Sequence, residues 1–459
     1  MNKTSITVVL LSALIASFSQ AEPVINSARA DGYKGIWFTL GQQCEYGDKY
    51  SGGLGTYTAK HVPLAVYAPE VDKTFFVYGG TTGAEERYLL IMASYYDHKT
   101  GTVPRPTIVH DKEGVNDPHD NGSILIDEQG YVWVFVSGRG RKRMGFKYRS
   151  VEPYSVDAFE RITEEEMTYP QPWVIPGKGI LHCFTKYTKG RELYWETSAD
   201  GRTWTEDRKL AALGGHYQTS RQQGGRVITA FNYHPGGTPD TRTNLYYAET
   251  SDFGETWRTV SGEVLQTPLV DVHNPALVRD YEAEKRLVYM KDIGFDAKGH
   301  PVILVITSAA YEPGPKGDPR LWTLVRWTGT EWTFTEVTTS DHNYDMGSLY
   351  IEPDGVWRIV APTEPGPQKW GTGGEMVLWL SKDDGGTWTK ELDITHGSPR
   401  NHAYARRPVN AHPDFYAFWT DGNPDGFSES HLYFTNKNGD GVWELPYEMS
   451  GEKAQPKAR

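Results

Sequence analysis

Apolar and polar residues alternate with a period of two through most of the chain, in short runs broken by Gly, Asp and Asn. That period belongs to strands with buried faces, and the breaks belong to tight turns. The runs come in pairs. First strands are predicted to begin near His61 (HVPLAVYA), His119 (HDNGSILID), Tyr169 (YPQPWVI), His216 (HYQTSRQQ), His273 (HNPALVRD), His342 (HNYDMGSLYI) and His402 (HAYARRPV). Second strands follow as FFVYGG, YVWVFVSGRG, GILHCFTKY, RVITAFNYH, RLVYMKDIG, VWRIVAPTE and FYAFWTDG, so each pair makes a hairpin. Outer strands are marked by ELYWETSADGRTW, NLYYAETSDFGETW, LWLSKDDGGTW and LYFTNKNGDGVW. In a Ser/Thr-x-Asp-x-Gly-x-x-Trp turn of this type, Ser and Asp bond backbone amides, Gly supplies positive φ and Trp packs on the sheet. Such a unit recurring every roughly 50 to 70 residues has the period of a four-stranded propeller blade. The predicted fold is all-β, a seven-bladed β-propeller of four-stranded antiparallel blades. The stretch Asp31 to Tyr57 precedes the first hairpin and is expected either to close the ring or to lie across its face.

Composition agrees with this picture. Fifteen Trp, 28 Tyr and 48 Gly beside a charged fraction of 23% describe many short aromatic strands and tight turns. Lys3, the apolar stretch Ile6 to Phe18 and Ser19-Gln20-Ala21 have the layout of a secretory signal peptide cleaved before Glu22. The expected organisation is a leader at 1–21 and a single propeller domain at 22–459, secreted or periplasmic, free of the membrane after cleavage, and monomeric. Cys44 and Cys183 leave open one disulfide or two thiols. A net charge of −12 argues against a nucleic-acid partner. Local basic clusters, Arg139-Gly140-Arg141-Lys142-Arg143 and Arg400 with Arg406-Arg407, suit an acidic polysaccharide instead.

Innermost strands of a propeller line its central channel, so residues at equivalent strand ends converge there. Six of the seven predicted first strands open on His: His61, His119, His216, His273, His342 and His402. The segment Asp117-Pro118-His119-Asp120-Asn121-Gly122 is the richest. His119 titrates near neutrality and suits a general acid or base; Asn121 can donate to a substrate oxygen, and Asp120 either orients His119 or caps a turn. Second-strand ends add Arg139, Tyr187, Arg191 and Tyr233. Arg beside Tyr and His is what β-elimination on a uronic acid requires: a cation neutralises the carboxylate, one group removes the proton at C5 and another protonates the departing O4. His119, Tyr187, Arg139 and Tyr233 are therefore the candidate catalytic residues. Asn121, Arg191, His61, His216, Tyr217, His273, Asn274, His342, His402 and Arg406 are the candidate substrate contacts. No metal or other cofactor is required by any motif; a structural metal, with His182 and Cys183 among the candidate ligands, stays open.

The segments GGLGTYTAKHVPLAVYAPEVDKTFFVYGG, DPHDNGSILIDEQGYVWVFVSGRG and GHYQTS…ITAFNYH resemble the BNR-4 propeller superfamily, which includes the ulvan lyases of polysaccharide lyase families 24 and 25. More distant members are rhamnosidase and rhamnose–glucuronate lyase propellers. The resemblance implies seven blades and β-elimination on a polysaccharide of uronic acid and rhamnose, sulfated in the manner of ulvan. It places the lyases' first His at His119 and their second at Arg139, where this chain departs from the pattern. Tyr187, Arg191 and Tyr233 are the nearest counterparts of the remaining Tyr and Arg. In the rhamnosidase group an early His is catalytic, and His61 would be its counterpart. An exo-acting rhamnosidase and a sugar-binding propeller without catalysis are the alternative readings.

Overall fold

Runs such as Val132–Val136 are buried at every position, as a strand must be when sheets stack face to face around an axis. Each large apolar side chain so covered contributes about 1.5–3 kcal/mol relative to exposure. A computed structural model of the chain describes Met1 and residues 23–83, 85–115 and 117–459; the predicted leader therefore lies, apart from Met1, outside the described residues.

Seven antiparallel sheets follow one another along the chain. Their innermost strands are Ala65–Ala68, Gly122–Ile126, Thr168–Ile175, Gln218–Gln223, Leu287–Phe295, Ser348–Ile351 and Asn401–Arg406, numbered here as blades 1 to 7. Blades 1, 3, 4, 5 and 6 have four strands in simple sequence order. Blade 2 gains Ile25–Asn26 at its outer edge, paired with Phe159 and Glu160. Blade 7 carries Lys457–Ala458 as a fifth strand. The fold is a β-propeller.

The Asp-turns behave as their residues require. Ser198 Oγ accepts from the Gly201 amide at 2.8 Å while Asp200 accepts from Arg202 and Thr203 at 2.8 and 2.7 Å. The same pattern recurs at Thr250/Asp252 and Ser381/Asp383. Gly201 and Gly254 take φ of +71° and +83°. A Cβ on Gly201 would lie 2.4 Å from Trp133, and one on Gly254 2.7 Å from Trp195, so each turn packs on an indole of the preceding blade.

Three expectations are corrected or resolved. HNPALVRD is not an innermost strand: Leu277–Arg279 is the outer edge of blade 4, and the innermost strand of blade 5 is Leu287–Phe295, within the segment assigned as its second strand. Both segments alternate, and period alone does not distinguish an inner from an outer strand. The Asp31 to Tyr57 stretch enters no blade; Gly35–Thr39 and Ser51–Gly53 form a small sheet with Ser428–Ser430 beside blade 7. Cys44 and Cys183 are both free thiols, the first half-buried and the second buried. Among the described residues, no helix is long and apolar enough to cross a membrane.

Candidate functional site

At the axis, every blade contributes to one narrow cavity of about 40 Å³. Lys60 precedes blade 1 and His119 precedes blade 2. Blade 3 supplies Tyr169, and blade 4 supplies Tyr217, Asn232 and Arg242. Tyr289, Met290 and Lys291 come from blade 5, Tyr344 from the approach to blade 6 and Tyr404 from blade 7, with Tyr50, Tyr57, Thr58 and Ala59 arriving on the loop before blade 1. The lining is thus tyrosine and cation, with one histidine.

His119 sits in a short 3-10 turn, Pro118–Asp120, whose geometry is fixed by acids and bases around it. Its Nδ1 is 2.5 Å from Asp117 Oδ1, and its backbone amide donates to the same oxygen at 3.1 Å. Arg143 holds Asp117 at 2.8 Å and also grips Asp120, which Lys112 approaches at 3.1 Å. The orienting carboxylate is therefore Asp117; Asp120, for which the sequence left orienting His119 or capping a turn open, is occupied by Arg143 and Lys112. Burial pushes the His119 imidazole below its usual range, against the pull of Asp117. With Nδ1 engaged by a carboxylate, a neutral ring presents a bare lone pair at Nε2.

His119 leads into a run of rings. Its centroid lies 6.0 Å from Tyr169, Tyr169 lies 5.6 Å from Tyr217, and Tyr217 lies 4.8 Å from His234. Cations surround the far end. The Arg191 guanidinium is 5.6 Å from the Tyr187 ring and 5.8 Å from Tyr217, and Arg242 is 4.9 Å from Tyr217. Arg139 lies 3.4 Å from Asp117 Oδ2. Burial alone would raise the Tyr217 phenol, but Arg191, Arg242 and Arg139 outweigh it and bring the group below its ordinary value. Its neighbour Tyr169 moves the other way, raised by burial and by Tyr217 itself. Several polar atoms here are buried without a hydrogen-bond partner: Arg139 Nη1, Tyr187 Oη, Arg191 Nε and both ring nitrogens of His234. Such atoms are costly unless a ligand completes them.

The remaining predicted contacts are placed elsewhere or already engaged. His61 Nε2 meets the His119 carbonyl at 3.2 Å and its Nδ1 faces Thr58. His216 bonds the Asn232 carbonyl at 2.8 Å and accepts from the Leu213 amide at 3.0 Å. His342 Nδ1 accepts from the Tyr344 amide at 3.1 Å. His402 accepts from Trp419 Nε1 at 2.8 Å and borders a separate cavity between blades 6 and 7. The Asn121 amide is spent on the carbonyls of Leu54 and Tyr57, and Arg406 on those of Thr56, Thr58 and His61. His273 and Asn274 lie on the exposed outer rim of blade 4, with His273 paired to Asp280, so their assignment to the channel is corrected along with their strand. Tyr233 faces away from the axis and packs against the core between blades 3 and 4, because strand alternation gives the inward positions to Asn232 and His234. Of the predicted set, the structure brings together His119, Arg139, Tyr187, Arg191 and Tyr217.

Sequence reasoning missed Tyr169 and Tyr404 as lining residues. Each has a positive φ, +56° and +60°, at a β-bulge of its innermost strand, which turns the side chain to the axis. It also missed Lys60, Arg242 and Lys291. Burial and Arg242 bring Lys291 down to about 7, against Asp345.

The profile of the BNR repeat-containing family matches residues 84–340, more than half of the chain. The chain belongs to the BNR repeat-containing family. Among curated relatives, an ulvan lyase of Nonlabens ulvanivorans is 25% identical over 241 residues, covering 44% of this chain and 51% of the relative. A PL25 ulvan lyase of Pseudoalteromonas sp. (strain PLSV) is 23% identical over 312 residues, covering 58% and 63%. The matched region thus spans less than two thirds of either relative. A solved PL25 ulvan lyase structure superposes on this family member with a TM-score of 0.71 at 18% identity, over 89% of this chain and 96% of the other, which establishes the shared fold.

Proposed function

We propose that the protein is a polysaccharide lyase that cleaves a uronic-acid- and rhamnose-containing, ulvan-like polymer by β-elimination. The observation that carries this reading is an Asp117-oriented His119 sharing the axial cavity with Tyr217, whose ring lies 5.8 and 4.9 Å from the Arg191 and Arg242 guanidinium groups. Arg139, held by a 3.4 Å ion pair to Asp117, and Arg191, whose buried Nε has no hydrogen-bond partner, receive the uronate carboxylate and make the C5 proton acidic. Neutral His119 takes that proton on Nε2, and Asp117 stabilises the imidazolium that forms. The C4–O4 bond breaks as the C4=C5 double bond forms, and Tyr217 gives its proton to the departing O4. Tyr187 Oη completes the carboxylate site. Arg139 at the position of the lyases' second His supplies a permanent charge, so proton transfer rests on His119 and Tyr217. A PL25 ulvan lyase of the same fold was solved bound to -[GlcA(1-4)Rha3S]-, a substrate of the chemistry this site fits. Action outside the cell on such a polymer agrees with the leader read from the sequence.

Incubation with ulvan, followed by the absorbance of the unsaturated uronate and by product mass, tests the proposal. Products lighter by one water than hydrolysis products are expected. Release of saturated products would overturn it, as would binding of ulvan without turnover.

A further inference from the structure

Blade 7 is built entirely from strands within 401–458, so among the described residues no strand from the start of the chain completes it. Blades 7 and 1 instead meet through a parallel bridge between Val66 and Val409 and through aromatic packing such as Phe76 on Phe415. At the edge of this seam two histidines face each other from opposite blades. His98 follows the third strand of blade 1, Leu90–Asp97, and His412 lies between the first two strands of blade 7. Their ring centroids are 3.8 Å apart. Asp414 joins them, one ligand atom of each of the three lying within 4.8 Å of the others.

Two observations favour a ligand here. His98 Nδ1 is buried and has no hydrogen-bond partner, while its Nε2 is 2.9 Å from the buried Thr74 hydroxyl. This is how metal-binding imidazoles are held: an outer partner fixes one nitrogen and the other presents its lone pair. Tyr67 and Tyr96 wall His98 edge-on at 5.4 and 4.9 Å, making a dry inner side, while Asp414, 67% exposed, can close the site from solvent. A tetrahedral zinc ion with bonds of about 2.1 Å separates its ligand atoms by about 3.4 Å, so separations of up to 4.8 Å must shorten by up to about 1.4 Å, a movement the exposed Asp414 side chain can supply.

We propose that His98, His412 and Asp414 bind a divalent transition metal of zinc type that clasps blade 1 to blade 7. Two imidazoles and one carboxylate suit zinc over calcium or magnesium, which prefer all-oxygen sites. None of the three residues lines the axial cavity, so the clasp is independent of the proposed lyase chemistry.

The full chain, stripped of metal, is titrated with Zn²⁺ and separately with Co²⁺. The expected result is one zinc per chain after desalting, a raised Tm, and intense visible bands of tetrahedral Co²⁺. His98→Ala, His412→Gln and Asp414→Asn are each expected to weaken uptake by at least about tenfold. Should His98→Ala fail to fold, His412→Gln and Asp414→Asn, on the outer hairpin, carry the comparison. Equal zinc affinity in wild type and both hairpin variants overturns the proposal, as does no uptake at micromolar zinc.

Discussion

The two sides of the axial cavity satisfy their polar groups to different degrees. On the side of blades 5 to 7 and the loop before blade 1, basic nitrogens are tied to protein carbonyls: Lys60 to Met290 at 2.9 Å, Lys291 to Asn343 at 2.8 Å and Arg406 to Thr58 at 2.5 Å. On the side of blades 2 to 4 Arg242 is tied as well, to the Pro239 carbonyl and the Tyr344 hydroxyl, but Tyr187, Arg191 and His234, set just behind the lining, keep buried polar atoms without a hydrogen-bond partner. An unsatisfied buried group costs about 1–3 kcal/mol, so the second wall carries a cost that the first does not. The difference separates scaffold from reactive surface: the tied wall shapes the cavity, and the untied wall is completed by a substrate.

The largest expected effect lies on the untied wall. His119→Ala and Tyr217→Phe should each lower kcat on ulvan by roughly 10²–10⁴ with Tm nearly unchanged, the range of a lost general acid or base. If Tyr187→Phe instead shows the larger loss, the proton donor is Tyr187 and the assignment of Tyr217 falls. Arg191→Gln should cost about 10²-fold in kcat/KM. Arg191 is the largest of the influences lowering the Tyr217 phenol, so its removal should also move the alkaline limb of the pH–rate profile upward. A smaller loss, about tenfold in kcat with KM little altered, is expected for Asp117→Asn, which leaves His119 in place but unoriented.

The tied residues should respond in stability rather than rate. His61, His216 and His342 are held neutral by burial at about 3, 4 and 3. The unfolded chain binds protons at these sites near 6.5 and the folded one does not, so their stability is fully present above about pH 6.5 and is lost as pH falls toward 4. Thermal melts between pH 7 and 5 should show a falling Tm, with a shallower slope in His216→Gln. The least effect of all is expected at the exposed His273: His273→Ala should change Tm and kcat within error, and a large loss there would break the division between the walls.

Much of the fold was legible in the sequence because alternation and Asp-turn chemistry are local. Six of seven innermost strands could be placed, and blade 5 was misread because an outer strand of blade 4 also begins His-Asn and also alternates. The candidate site was less legible. His119, Arg139, Tyr187, Arg191 and Tyr217 were recognisable by residue type and strand-end position. The apparent ring of histidines was not a site, because the histidines at 216 and 342 make backbone hydrogen bonds while the tyrosines one and two residues later turn inward. Tyr169 and Tyr404 reach the axis through bulges, and a bulge depends on pairing across strands, which carries no local mark. Asp117 rather than Asp120 orients His119 because Arg143, more than twenty positions away, takes both oxygens of Asp120 but only one of Asp117, whose other oxygen meets the imidazole.

Arg406 connects these themes. From the last blade it reaches the carbonyls of Thr56, Thr58 and His61, and so pins the loop that carries Tyr57 and Lys60 to the cavity floor. The joint where the circle is sealed and the platform on which a sugar would rest therefore share one guanidinium. Loosening that joint by heat would tilt the platform before the blades themselves come apart, so turnover should fail at a lower temperature than the one at which the strands melt.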